Sequence, residues 1–237
     1  MKIYITTCDQ RIDQTFEMYE YCIQKYWPQA DVYVLGYKQP VYKSDTIKFI
    51  SLGEDKGPNH LNKQLYEYFS SVEDKNFIFN VDDMPIIRPV DNELITYTKE
   101  LLESNKEIGR IGLSADNSNR PYIKISDIDN SNYSLFENTN TVGETYKLSA
   151  VWSAWNREYF LLYLNQYDNL WQWEVKGSSK SNSDNFKILG FIPAPIWFAH
   201  LIKQGTFKST WNLEGVGHKF AADQVDQNKI KSIYDIK

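Results

Sequence analysis

Short apolar segments alternate with amphipathic ones through the first hundred residues, and few folds accommodate that alternation. Residues 2–7 (KIYITT), 31–35 (DVYVL) and 46–52 read as strands, the last two ended by Gly36 and Gly53. Between the first two, residues 13–26 put Phe16, Tyr19, Ile23 and Tyr26 on one helical face, and Pro28 stops the helix. Residues 59–70 form a second amphipathic helix with Leu61, Leu65, Tyr68 and Phe69 inward. Phe77-Ile78-Phe79 is an apolar strand that runs into Asn80-Val81-Asp82-Asp83. After the breaks at Pro85 and Pro89 come a helix over 92–102 and a strand over 110–113. Apolar strands joined by helices predict an α/β fold, with helices flanking a mostly parallel twisted sheet. Ligands gather at the carboxyl ends of such strands. Three polar clusters, 6–11, 53–59 and 80–83, therefore converge on one rim.

Beyond residue 113 the pattern loosens. Residues 114–145, rich in Asn, Ser and Asp, read as a long loop with short strands, of the kind that often carries function. A strand over 146–155 and a helix over 157–167 follow. Residues 171–182 are Trp-rich and then Gly- and Ser-rich, with Gly177-Ser178 suited to a tight loop. Residues 188–199 contain Pro193 and Pro195 and read as an edge strand or an extended segment. With no repeat and no linker, the expected organisation is one domain: a nucleotide-binding half over 1–113, an acceptor half over 114–221 and a polar tail over 222–237.

The net charge is −5, from 26 Lys and Arg against 31 Asp and Glu. That balance argues against a nucleic-acid backbone as partner, though a metal ion can supply positive charge for a single nucleotide. Cys8 and Cys22 form no C-x-x-C pair, which argues against a disulfide framework or a zinc site and points to a reducing cytoplasm. The N-terminus lacks the look of a secretory signal, and no run of about 18 apolar residues suggests a transmembrane helix. Work at a membrane would require peripheral recruitment. Oligomeric state is open.

Asp82 and Asp83 are the most informative residues. Adjacent carboxylates after a buried strand repel each other and cost desolvation if packed inward. They suit a divalent cation shared with an anionic ligand, or else a solvated turn before Pro85. The segment 77–86 (FIFNVDDMPI) resembles the strand and D-x-D region of GT-A glycosyltransferases. Residues 150–160 (AVWSAWNREYF) are similar to their acceptor-side strand and helix. Residues 170–178 (LWQWEVKGS) are similar to the W-x-x-E-x-x-G-S stretch of bacterial and viral members that decorate surface polysaccharide. One departure is that Asn80 stands where a strict D-x-D has Asp.

The resemblance implies transfer of a sugar from a nucleoside diphosphate donor to a carbohydrate acceptor, assisted by Mn²⁺ or Mg²⁺. It implies Asp83 as metal ligand and Asp82 as a ribose or metal-water contact, or the reverse. Thr6, Thr7, Asp9 and Arg11 would line the nucleotide pocket. A C-terminal histidine, His200 or His218, would complete the metal shell. Proton removal from an acceptor hydroxyl needs a base. Glu174 is the leading candidate, two tryptophans beside it suggesting a dry environment, and its alternative role is to cap a backbone turn. Glu158 and Asp184 are lesser candidates, and His60 reads as a polar residue at a helix start. Trp152, Trp155, Trp171 and Trp173 divide between core and a sugar platform. Nucleotidyl transfer on a related fold and a non-catalytic carbohydrate-binding protein are the alternatives. The glycine-free Thr6-Thr7-Cys8-Asp9 disfavours nucleotidyl transfer. The absence of a G-x-G-x-x-G after any strand argues against a Rossmann dehydrogenase.

Overall fold

A computed structural model of the chain describes residues 1–114, 121–139, 146–200, 202–203, 206–207 and 224–234. Nine strands form one sheet in the order β3-β2-β1-β4-β8-β5-β9-β7-β6. They are β1 (Ile3–Thr6), β2 (Val32–Gly36), β3 (Ile47–Ser51), β4 (Asn76–Val81), β5 (Ile108–Gly112), β6 (Tyr122–Asp127), β7 (Ser134–Asn138), β8 (Ser153–Asn156) and β9 (Lys187–Ile192). The first four run parallel to one another. β8 enters antiparallel between β4 and β5, and β7 pairs antiparallel with β9 and β6, so the second half of the sheet is mixed. Two short strands, β10 (Ile202–Lys203) and β11 (Thr206–Phe207), pair separately.

Strand alternation divides the core into two faces. Ile3, Ile5, Ile78 and Ala154 point to one side, under α1 (Ile12–Tyr26), α3 (Asn92–Ser104) and α7 (Gln224–Ile233). Tyr4, Phe77, Phe79 and Trp155 point to the other, under α2 (Leu61–Ser71), α4 (Arg157–Leu164) and Trp173. The second face is an aromatic cluster in which Phe69 stacks on Phe77 at 4.3 Å and meets Phe160 edge-on at 5.2 Å. Such pairs contribute about 0.5–1.5 kcal/mol each beyond the area they bury. Helix starts follow from side-chain caps. Asp91 accepts from the N–H groups of Glu93 and Leu94 before α3, and Asn156 accepts from Tyr159 N–H before α4.

Three expectations change in the second half. Residues 170–181 form a continuous helical run instead of a loop: α5 (Leu170–Gln172), a π-turn (Trp173–Gly177) and α6 (Ser178–Ser181). Gly177 has helical dihedrals, and a Cβ there would lie 2.8 Å from Leu148 Cδ1, so the glycine serves close packing. β8 begins only at Ser153, leaving residues 146–152 as a rim segment of successive bends. β9 lies inside the sheet between β5 and β7, and its prolines follow the strand where no ladder N–H is needed. No described helix is long and apolar enough to cross a membrane.

Candidate active site

The register of the parallel strands sets the site. Thr6 on β1 is level with Leu35 on β2 and Val81 on β4, so the residues that follow each emerge together on one rim. Because β8 runs antiparallel to β4, with Ser153 opposite Phe79, the residues preceding β8 reach the same rim. A cleft of about 590 Å³ opens there. Its floor is Thr6, Thr7, Cys8, Arg11 and Asp82. Tyr37, Asp55, Gly57, Pro58 and Leu61 line one wall, and Ala150, Val151, Leu170 and Glu174 another.

Asp82 is 6% exposed. Its Oδ2 accepts from Thr7 Oγ1 at 2.7 Å, and Thr7 in turn bonds Thr15 of α1 at 3.1 Å. Arg11 Nε lies 3.4 Å from the same oxygen. Burial raises the Asp82 carboxyl to about 6, against the opposing pull of Arg11 and the Thr7 hydroxyl. Asp83 also lines the cleft but meets a different partner. Its Oδ2 lies 3.4 Å from His200 Nε2, and both side chains are partly exposed. The approach is made by backbone pairing: Ile87 N–H donates to Trp197 C=O, Ala199 N–H donates to Pro85 C=O, and Ile86 bridges Phe198. The segment after β9 is thereby laid along the segment after β4.

Asn80 explains the missing first aspartate. It is fully buried, and its Nδ2 donates toward Tyr19 Oη, Val81 C=O and Met84 C=O, while its Oδ1 accepts from Trp152 N–H. A carboxylate has no N–H to donate, so only an amide completes this set. Tyr19 Oη donates to Val81 C=O, fastening the acidic turn to α1.

Glu174 lies on the π-turn and lines the cleft, with Oε1 accepting from Ala150 N–H at 2.6 Å. It therefore holds the rim segment as well as facing the site. Asp9 does not line the cleft. It turns outward, its Oδ1 accepting from Lys38 N–H at 2.8 Å. Asp184 is not solvated but paired with buried Lys147 at 2.9 Å, and Glu158 lines a depression away from the cleft. His60 ends the 3₁₀ turn before α2. His218 lies outside the described residues. Trp152, Trp155 and Trp173 are core side chains, whereas Trp171 is exposed.

One wall residue was not anticipated. Tyr37 follows Gly36, the residue taken to end β2, and burial pushes its hydroxyl up to about 12. Thr6, which was expected in the pocket, is 4% exposed and lines the cleft with an Oγ1 that has no protein partner. Its predicted place at the strand end was the signal for it.

Among the described residues no three His, Cys, Asp or Glu side chains converge as a closed metal shell. Asp83 and His200 set one carboxylate and one imidazole side by side. Mg²⁺-like ions are held by one or two carboxylates with the remaining positions left to water and substrate phosphate, and imidazole is a further transition-metal donor. The donor set fits such an ion.

No protein-family model matches the chain, and no curated protein matches it in sequence. Solved structures do. The chain is similar to GalNAc-T7, crystallised with UDP, GalNAc and Mn²⁺, with a TM-score of 0.53 and 9% identity over 99% of this chain and 48% of that one. The fold is of the GT-A kind. This GT-A-like chain spans about half the length of the GalNAc-T7 chain. It is also similar to the galactosyltransferase LgtC in complex with donor and acceptor sugar analogs (TM-score 0.41, 10% identity, 80% of this chain and 73% of that one). A third likeness is to CMP:2-keto-3-deoxy-manno-octonic acid synthetase complexed with CTP (0.43, 15%, 80% and 88%). At these identities the likeness is one of fold. The GT-A-like frame places the cleft at the carboxyl ends of β1, β2 and β4.

Proposed function

We propose that the chain transfers a sugar from a nucleoside diphosphate donor to a carbohydrate acceptor. The observation that carries this reading is the Asp83–His200 pair, joined across 117 positions of sequence at a cleft that also holds Arg11, Thr6 and Thr7. Asp83 and His200 would hold a divalent cation, with Mn²⁺ or Mg²⁺ supplying Lewis-acid charge at the diphosphate. Arg11 offers a guanidinium to the same phosphates. Thr6 offers an unpartnered hydroxyl, and Tyr37 an uncharged ring, to the nucleoside. Asp82, steadied by Thr7 and Arg11, orients the ribose side.

Glu174 takes the proton of the acceptor hydroxyl, and its bond to Ala150 N–H fixes the carboxylate against the rim. The halves of the sheet then divide the work, residues 1–113 toward the donor and 114–221 toward the acceptor. A membrane-borne acceptor would be reached by peripheral association.

Thermal-shift titration with a panel of nucleoside diphosphates, with and without Mn²⁺, tests the reading. Ligand at a hundred times its Kd stabilises by about 2.7 kcal/mol, or roughly 5–10 °C for a chain of this size. Asp83→Asn should remove the Mn²⁺-dependent part and leave the apo melting temperature nearly unchanged. A wild-type protein that ignores every nucleotide would favour a carbohydrate-binding module instead.

A further inference from the structure

Trp171 is 66% exposed, in a chain whose Trp27, Trp152, Trp155 and Trp173 are each 3% exposed or less. An indole left in water needs an explanation, because no other side chain buries as much apolar area. Its position supplies one. It stands in α5, the first turn of the helical run, between Leu170 and Glu174, both of which line the cleft. Trp171 and Glu174 are three positions apart, so their Cβ atoms lie on one side of the helix, about 5–6 Å apart. That span is comparable to one pyranose ring. The start of the run is fixed: Asn169 accepts from Gln172 N–H, and its Nδ2 donates to Asn59 Oδ1 at 2.9 Å.

We propose that Trp171 is the stacking platform for the acceptor sugar, presenting its ring face so that one hydroxyl meets Glu174. The proposal rests on the glycosyl-transfer reading and adds the acceptor subsite to it. The apolar C–H face of a pyranose matches an exposed indole, and its hydroxyls match the neighbouring carboxylate. A phosphate-bearing group is disfavoured on this lip, because Glu174 is one turn away. The nucleotide and the acceptor therefore occupy separate ends of the site.

Saturation-transfer difference NMR reads both ends in one sample. The protein is mixed with Mn²⁺, a nucleoside diphosphate and a panel of methyl pyranosides and short oligosaccharides. With wild-type protein, transfer is expected to the C–H protons of at least one saccharide and to the nucleotide. In Trp171→Ala the saccharide signals should fall at least fivefold while the nucleotide signals persist, and Trp171→Phe should restore a good part of the saccharide signal. Saccharide signals of equal strength in Trp171→Ala would overturn the proposal. So would a wild-type protein that shows nucleotide signals with no saccharide, or that accepts only alkyl chains or peptides on this lip. Loss of both nucleotide and saccharide signals in the wild type would sink the glycosyl-transfer reading itself, and this subsite with it.

Discussion

Asp82 carries a cost that the fold accepts. Burial raises its carboxyl from 3.8 to about 6, a difference of about 3 kcal/mol between its protonation states. A carboxyl with a raised folded-state value favours the folded chain when protonated, so stability is lost as pH rises from about 4 to about 6. Asp82→Asn should therefore raise the melting temperature of the unliganded protein by a few degrees at pH 8, with little gain at pH 4, while weakening nucleotide binding. Equal destabilisation at both pH values would contradict the burial argument. Asn80 makes the opposite case. Asn80→Asp would restore a strict D-x-D in sequence but would turn a buried carboxylate oxygen, with no hydrogen to donate, toward Tyr19 Oη, Val81 C=O and Met84 C=O. Unpaired buried groups cost about 1–3 kcal/mol each. Scanning calorimetry should show a melting temperature lower by roughly 5–15 °C, with no gain in Mn²⁺ response.

Among the elements, α7 is held to α1 by one buried aspartate. Asp226, 1% exposed, accepts from Tyr21 Oη at 2.6 Å, from Lys25 Nζ at 2.5 Å and from Tyr26 Oη. Burial pushes its carboxyl up, but Lys25, Tyr21 and Tyr26 outweigh that and hold it below the usual value. A lowered carboxyl stabilises above its unfolded value of 3.8 and loses that contribution as pH falls through the folded one. Asp226→Asn should thus destabilise at pH 7 by about 2–3 kcal/mol, and urea melts of the two proteins should converge below about pH 4. Elements with a plain period were legible from sequence: α1, β2 and β4 begin and end within a residue or two of the expected positions. The helical run at 170–181 was not, because its cues were tryptophans, serines and Gly177. That glycine is required by Leu148 from a distant part of the chain, and no local rule reports such a neighbour. β9 was misplaced at an edge because its prolines were counted with the strand they follow. The rim segment before β8 was absorbed into the strand because Leu148, Ala150 and Trp152 alternate as a strand would.

In the whole molecule, the parallel half of the sheet brings Thr7, Arg11 and Asp82 together, as the alternation of strands and helices foretold. Asp83 and His200 meet only because β9 returns inside the sheet and lays its continuation along residues 85–87. Long-range pairing of that kind leaves no local trace, and His200 entered the expected site through resemblance alone. Nucleotidyl transfer is the alternative to the proposed reaction, and the bond that breaks decides between them. Phosphorus NMR of the protein with Mn²⁺ and a panel of nucleoside diphosphate sugars reads that bond directly. Cleavage at the anomeric carbon releases a nucleoside diphosphate, and the account predicts that signal, accelerated by an accepting saccharide and lost in Asp83→Asn. Release of nucleoside monophosphate, or consumption of pyrophosphate to form a triphosphate, would contradict it.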